Sequence, residues 1–199
     1  MAGRPNGRAR RRGKFTTRSC GCSRSRARKG FPATGRRIDW RSNGSPQSPR
    51  CDETLSERIY VGADHAGFRL KQRLVDELKR LGYEPVDAGP ETMDPADDYP
   101  DYGRPVAKAV STGAVKRGVL TCGTGLGMAF VANRFPRVRA ALAWTPEIAE
   151  LARKHNDANV LVLPSRFVSE EEGMDILHKW LDTAFEGGRH ERRVAKIDA

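Results

Sequence analysis

The sequence predicts an α/β protein whose doubly wound parallel sheet carries helices on both faces, preceded by a disordered basic tail. From Arg58 onward, short runs rich in β-branched residues alternate with stretches of helical periodicity. Strands that alternate with helices in this way form a parallel sheet covered on both sides. We count five such strands, so the expected architecture is a three-layer sandwich of the Rossmann or flavodoxin-like kind.

Charge separates the tail from the rest of the chain. Residues 1–57 hold 15 Lys and Arg against four Asp and Glu, which accounts for the whole net charge of +11. Residues 58–199 hold 21 residues of each sign. The tail is rich in Arg, Gly, Ser and Pro, and its apolar residues follow no regular spacing. It therefore cannot bury enough apolar surface to offset the conformational entropy lost on ordering. We therefore expect a disordered extension over 1–57 and one domain over 58–199, with no nucleic acid bound by the domain.

The extension has three possible interpretations: an organelle transit peptide, a nonspecific nucleic-acid contact, or a stretch translated from a wrongly chosen start. We favour translation from a wrongly chosen start, because a segment with no apolar periodicity beside a complete domain needs no function. No apolar run approaches the roughly 18 residues of a membrane span. Cys122 is the only cysteine after residue 57, which favours a free thiol in a reducing compartment. We expect a soluble cytoplasmic protein with no membrane contact.

The elements of the domain follow from local patterns. The run 58–63 is typical of a strand, and 68–83 of a helix that ends at Gly82. Its apolar residues at helical spacing are Leu70, Leu74, Leu78 and Leu81. The remaining predicted elements are strands over 84–89, 118–122, 139–144 and 159–164, a loop over 90–101, helices over about 102–111, 128–134, 147–154 and 171–182, and a further turn or two at the C-terminus.

The carboxyl ends of the first and third strands carry polar residues with catalytic potential. Asp64 and His65 follow the first strand, and Cys122 ends the third. Ligands of doubly wound sheets bind where the winding direction reverses. In a flavodoxin-like order these two strand ends flank that point, which predicts a crevice shared by the three residues. Asp64 can also act simply as a cap for the helix that follows Gly67.

A glycine-rich loop over 123–127 follows Cys122 directly. Its main-chain amides can form an anion-binding nest, and they favour a thiolate at Cys122 that acts as base or nucleophile. The loop does not match the dinucleotide-binding pattern G-x-G-x-x-G, because the third glycine of that pattern would fall at Met128. We interpret the loop as an oxyanion hole. The competing interpretation of Cys122 is a small buried apolar residue.

Further polar residues lie in the last 45 residues. His155 begins the segment HNDAN with Asn156 beside it, although a histidine at a helix end is often only a cap. A basic cluster of Arg189, Arg192 and Arg193 follows two glycines, and Arg166 follows the last strand; such clusters suit phosphate but are more often solvated. We expect His178 and His190 at the surface or an interface. Metal binding by Asp64, His65 and His155 ranks low, because nothing in the spacing singles it out.

Six motifs, taken in order, closely resemble those of ribose-5-phosphate isomerase type B and its relatives, the galactose-6-phosphate isomerase subunits included. They are ADHAGF, DYPDY, CGTGLGM, AN-R, HNDANV and FEGGRHERRV. The match covers 58–198 and leaves out the tail. The resemblance implies a sugar-phosphate isomerase domain over 58–199 that needs no cofactor and no metal. It also implies a homodimer or dimer of dimers whose active sites are shared between subunits.

The resemblance implies a role for each matching residue. Cys122 matches the base that moves a proton between C2 and C1, and Thr124 matches a group that stabilises the enediolate. His155 matches the acid/base of ring opening, with Asp64 as its helper. The implied substrate-binding residues are His65, Tyr99, Gly123, Gly125, Leu126, Gly127, Asn156, Arg166, Arg189 and Arg193.

Two departures from the family pattern affect these expectations. One branch places a Glu base at the position of Met128, which cannot take a proton, so Cys122 must serve as the base. The stretch 143–146, which includes Trp144, differs from the polar segment of the cysteine branch. This leaves open an isomerase for a tetrose or hexose phosphate. A non-catalytic flavodoxin-like module that binds a nucleotide through the loop is the remaining alternative.

Overall fold

The computed structural model describes residues 56–199. The predicted disordered extension therefore lies outside the described residues, apart from Ser56 and Glu57. The strands are β1 (Arg58–Ala63), β2 (Glu84–Asp87), β3 (Arg117–Cys122), β4 (Ala140–Leu142) and β5 (Val160–Pro164). The helices are α1 (Phe68–Arg80), α2 (Tyr99–Ser111), α3 (Leu126–Ala132), α4 (Pro146–Asn156), α5 (Glu170–Asp182) and α6 (Arg189–Ile197).

The five strands form one parallel sheet in the order β2-β1-β3-β5-β4. The predicted α/β class and five-stranded parallel sheet are thus confirmed. The order differs from flavodoxin, 2-1-3-4-5, only in the exchange of the last two strands. The winding direction still reverses between β1 and β3, so Asp64, His65 and Cys122 follow or end neighbouring strands at the carboxyl edge of the sheet.

Each face of the sheet buries its own apolar core. One core packs α1, α4 and α5 against the sheet around Trp180, and the other packs α2 and α3 around Met128. Successive residues of a strand point to opposite faces, which places Val119 in the first core and Leu120 in the second. Continuously apolar strands such as β5, which is buried throughout, are what a sheet covered on both sides requires.

The first helix ends one residue earlier than its apolar spacing suggests. Leu81 is the C-cap residue and is 39% exposed, whereas Leu70, Leu74 and Leu78 are buried. Gly82 takes a φ of +86°, and the Tyr83 amide donates to the Leu78 carbonyl at 3.0 Å. This is the Schellman arrangement, which needs a left-handed residue at the position of Gly82, as the sequence predicted.

Two helices begin two or three residues earlier than predicted, and both begin near the site. α2 starts at Tyr99 because Pro100 occupies the first turn, where its missing N–H costs nothing. α3 starts at Leu126, inside the glycine-rich loop, because Gly125 turns the chain with a φ of +75°. Both shifts bring loop residues onto rigid elements. Among residues 56–199, no helix is long and apolar enough to cross a membrane.

Candidate active site

Cys122 ends β3 and receives a hydrogen bond from the loop that follows it. The main-chain N–H of Gly125 donates to Sγ of Cys122 across 3.1 Å. The residue is only 4% exposed and packs in the core on the α2 and α3 side. Cys122 is therefore a buried residue, as the competing interpretation expected, and its sulfur also accepts a hydrogen bond from a main-chain donor.

The loop geometry depends on glycine. A Cβ added at Gly125 would lie 2.2 Å from Cδ1 of Leu142, in addition to the strain of its positive φ. The exposed Thr124 accepts a hydrogen bond from the Leu126 amide at 3.3 Å, so its hydroxyl is held at the start of α3. The loop is thus a fixed turn that keeps the Gly125 amide against the sulfur and the Thr124 hydroxyl at the start of α3.

Asp64, at the end of β1, is buried and caps the turn that leads into α1. Its Oδ1 accepts the Gly67 amide at 2.9 Å, which agrees with the capping interpretation. Burial raises the pKa of Asp64 above its ordinary 3.8, and the hydrogen bond from Gly67 acts in the opposite direction. A carboxyl group with a raised pKa is better suited to exchange protons near neutral pH.

His65 has a partner that the sequence did not reveal. Its Nδ1 lies 2.6 Å from Oδ1 of Asp97, whose side chain is only 3% exposed. A carboxylate can only accept, so Nδ1 carries the proton and Nε2 is left for another contact. Within residues 56–199, Oδ2 of Asp97 has no hydrogen-bond partner. Asp97 lies in an acidic loop where nothing in the residue pattern distinguishes it from its neighbours.

Tyr99 and Arg166 lie against the two ends of the glycine loop. A Cβ at Gly127 would lie 2.7 Å from Cε2 of Tyr99, and one at Gly123 would lie 3.1 Å from Nε of Arg166. The Arg166 amide also donates to the Gly123 carbonyl at 3.0 Å. Both side chains therefore border the loop that holds Cys122, and the exposed Arg166 adds a cation there.

The other predicted residues lie at the opposite edge of the sheet. α4 runs back from the end of β4, so His155 and Asn156 come just before β5 starts. β5 pairs with β3 from Gly118–Val160 to Cys122–Pro164, which is four residue steps, or roughly 13 Å along the strand. Arg189 and Arg193 lie on α6, which packs against α4. One chain therefore does not bring His155 and these arginines to Cys122.

His155 forms a compact group with two residues of the C-terminal segment. Its ring stacks on that of His190 with centroids 4.4 Å apart and planes 6° from parallel. Its Nε2 lies 3.8 Å from Oε2 of Glu186. His190 is only 3% exposed, so of its two predicted places, the surface or an interface, the surface is wrong. Helix α6 turns this residue inward while Arg189 and Arg193 stay exposed.

These three residues also have the donor types of a metal centre. One ligand atom from each of His155, Glu186 and His190 lies within 4.8 Å of the others. A histidine binds a metal through a lone pair in the plane of its ring. Because the two rings are nearly parallel and stacked, their lone pairs lie in separate planes and do not converge on one ion. A metal would require one ring to rotate.

A group of apolar side chains is exposed beside the glycine loop. Each member is at least half exposed; they are Leu126, Phe130, Trp144 and Phe167. Leu126, Trp144 and Phe167, together with Thr124, line a cavity of about 460 Å³. Exposed apolar clusters of this kind mark contact surfaces. This apolar surface adjoins the edge of the sheet that carries Cys122.

Comparison with known proteins assigns the chain to a family. The family profile described as Ribose/Galactose Isomerase matches residues 59–197. Ribose-5-phosphate isomerase B of Escherichia coli is 43% identical over 143 residues, which cover 72% of this chain and 95% of that protein. A crystal structure of ribose-5-phosphate isomerase B from Mycoplasma genitalium with bound ribulose-5-phosphate is 43% identical, with a TM-score of 0.70 over 72% of this chain and 95% of that one.

A crystal structure of a ribose 5-phosphate isomerase from Thermotoga maritima is 44% identical, with a TM-score of 0.69 over 71% of this chain and 97% of that one. Each relative is thus covered almost completely, and the unmatched part of this chain falls outside residues 59–197. The sequence resemblance carried by the six motifs is confirmed. The chain belongs to the ribose/galactose isomerase family and is a sugar-phosphate isomerase.

Proposed function

We propose that residues 58–199 interconvert ribose 5-phosphate and ribulose 5-phosphate through an enediolate, with Cys122 as the base and His155 as the acid/base of ring opening. The observation that carries the proposal is the hydrogen bond from the Gly125 amide to the Cys122 sulfur, at the centre of a loop built for an oxyanion. The E. coli relative bears the name of this activity, and the M. genitalium relative binds the ketose product.

The proposed proton transfer uses the carboxyl edge of the sheet. The Cys122 thiolate takes the proton from C2 of the open-chain aldose, and the electrons of the broken C–H bond form the enediolate. The amides of the loop and the Thr124 hydroxyl stabilise the negative oxygen. A proton moves from the C2 hydroxyl to O1, and the Cys122 thiol returns its proton to C1, which gives the ketose and restores the thiolate. No atom is gained or lost in the cycle.

Phosphate binding and ring opening use groups from both edges. Arg166 presents donors beside the loop, and His65, fixed by Asp97 through Nδ1, is proposed as a further substrate contact at the same edge. Arg189 and Arg193 supply exposed guanidinium groups at the far edge, and arginine suits bidentate phosphate contacts. We assign ring opening to His155, with Asp64 as helper because of its raised pKa. Tyr99 and Asn156 are proposed as hydroxyl contacts.

The proposed mechanism requires two copies of the chain. A catalytic acid/base must come within hydrogen-bond reach of its proton, and the edges that carry His155 and Cys122 are separated by roughly 13 Å of strand. In a two-fold dimer each contact occurs twice, so the far edge of one copy can complete the Cys122 edge of the other. The exposed apolar surface of Leu126, Phe130, Trp144 and Phe167 adjoins that edge and is proposed as part of the contact. A free catalytic thiol also suits a cytoplasmic location.

A hexose phosphate is the second candidate substrate. The family description names galactose as well as ribose, and the exposed indole of Trp144 lines the cavity beside Thr124. Comparing kcat/KM over phosphorylated tetroses, pentoses and hexoses would rank the two candidates. A preference of tenfold or more for a hexose phosphate would replace the pentose assignment and leave the reaction type unchanged.

The reaction itself is tested by isomerisation of ribose 5-phosphate in deuterated water. Cys122→Ser should reduce turnover by about 10²-fold to 10⁴-fold, the range that a general base supplies, and should reduce deuterium incorporation at C1 or C2 equally. Thr121→Val is the matched control: it removes a buried hydroxyl that has no partner within residues 56–199 and points to the opposite face of β3. Full activity in Cys122→Ser would overturn the base assignment.

A further inference from the structure

His190 is the buried member of a pair of stacked histidines. The ring of His155, which is partly exposed, lies at 4.4 Å from that of His190, and the planes are within 6° of parallel. His190 itself is 3% exposed. An imidazole ring that lies flat against its neighbour restricts that neighbour to rotations within its own plane. His190 is therefore in a position to set the orientation of the His155 ring.

The same ring contacts the arginine beside it. Nε of Arg189 donates to Nε2 of His190 at 3.4 Å, so this nitrogen is an acceptor and carries no proton. Burial lowers the pKa of His190, and the positive charges of His155, Arg189 and Arg193 act in the same direction, while Glu186 opposes them. These effects favour the neutral ring, whose Nε2 can accept from the guanidinium.

The segment that carries His190 is tied to α4. The Glu186 amide donates to the Lys154 carbonyl at 3.1 Å, and the His190 amide donates to the Gly187 carbonyl at 3.1 Å. Gly187 and Gly188 both take positive φ values, +70° and +58°, and so permit the sharp turn into α6. These contacts hold the start of α6 against the end of α4, which keeps the rings of His155 and His190 stacked.

We propose that His190 is a positioning residue that fixes the His155 ring and the Arg189 guanidinium relative to each other, so that the ring-opening group and a phosphate-binding group reach the sugar as one unit. The inference rests on the proposed function, which gives His155 and Arg189 their roles. It adds a residue that touches neither substrate nor reacting atoms. Its importance comes from the steep dependence of catalysis on orientation, where a misplacement of about 1 Å costs on the order of 10²-fold.

Two substitutions separate the two contacts of His190. His190→Phe keeps a flat buried ring under His155 but removes the acceptor for Arg189. His190→Gln keeps a side-chain acceptor but removes the stacked ring. We expect the Phe variant to raise KM for ribose 5-phosphate about tenfold with kcat within about twofold. We expect the Gln variant to lower kcat about tenfold with a smaller change in KM.

Binding of inorganic phosphate, measured by calorimetry, gives a readout that does not depend on turnover. The Kd for phosphate should rise in His190→Phe and stay close to the wild-type value in His190→Gln. His178→Phe and His178→Gln are matched controls, because His178 is a partly buried histidine that contacts Glu77 on a different helix pair. Neither control should change kcat, KM or phosphate affinity.

The outcomes distinguish the two proposals. A wild-type chain that isomerises no phosphosugar overturns the proposed function and this inference with it. An active wild type with both variants equal to it overturns the positioning role alone. Variants that lose kcat and phosphate binding together, in proportion to a lowered Tm, would show that His190 only stabilises α6, and that result also overturns the inference.

Discussion

Mixing two inactive variants of the chain tests whether the active site is shared between subunits. Cys122→Ser removes the proposed base at one edge of the sheet, and His155→Ala removes the proposed ring-opening group at the other. In a heterodimer of the two, one site combines the intact Cys122 of one chain with the intact His155 of its partner. The other site carries both substitutions. The heterodimer therefore has one working site out of two.

The expected magnitude follows from this geometry. Random exchange of subunits makes half of all dimers heterodimers, so the mixture should recover about one quarter of the wild-type activity. Heterodimers purified through two different affinity tags should recover about one half. Each parent alone should stay at least about 10²-fold below wild type, because each lacks a group that acts in proton transfer. A dimer of dimers would give the same one quarter in the random mixture, since each site is still made by two chains.

The assay is the rate of ribulose 5-phosphate formation after co-refolding the two variants at equal concentrations. Cys122→Ser mixed with Thr124→Ala is the matched control, because both substitutions lie on the same edge and no heterodimer contains an intact site. That mixture should stay at the average of its parents. If Cys122→Ser with His155→Ala also stays at that average while heterodimers are demonstrably present, the shared site is refuted.

Three other predictions follow from single contacts. Gly125→Ala forces a methyl group into a neighbouring side chain at a positive φ and should destabilise the fold by about 1–3 kcal/mol; an unchanged Tm would contradict the loop geometry. Asp97→Asn removes the ionised acceptor that orients His65 and should raise KM by about tenfold with little change in kcat; unchanged steady-state kinetics would show that Asp97 is dispensable. Arg80 holds the pKa of Glu77 at about 2, below its ordinary 4.5, so the stability this carboxylate adds is present above about pH 4.5 and is lost towards pH 2. Glu77→Gln should flatten that part of the acid unfolding profile followed by circular dichroism, and an identical profile would refute the ion pair.

The fold class could be predicted from the sequence because apolar periodicity and helix-ending residues are local signals. Leu70, Leu74 and Leu78 repeat at helical spacing and are all buried, and Gly82 takes the left-handed conformation that a helix end requires. The order of the strands is not a local property. That β5 lies between β3 and β4 depends on how apolar faces of distant segments pack, and no residue pattern in either strand records it.

The site was predicted less completely, and for the same reason. Cys122 and its loop could be proposed from the sequence because glycines that follow a strand constrain the backbone in a way that shows in the residue pattern. Asp97 was missed because its importance lies in a contact with His65, 32 residues away. His190 was expected at the surface or an interface, and only the direction of α6 turns it inward among exposed arginines. Burial of a single polar residue on a short charged helix leaves no pattern to detect.

The parallel sheet itself explains why the proposed mechanism requires a second chain. Every helix that connects two parallel strands runs antiparallel to them, so its last turn lies at the amino edge. A histidine at the end of α4 cannot therefore serve the crevice at the carboxyl ends of its own strands. The chain has four histidines, and only His65 lies at the edge that carries Cys122. If the mixed variants fail to recover activity, ring opening must be assigned to His65 with Asp97 as its partner, and His65→Asn rather than His155→Ala would then abolish it.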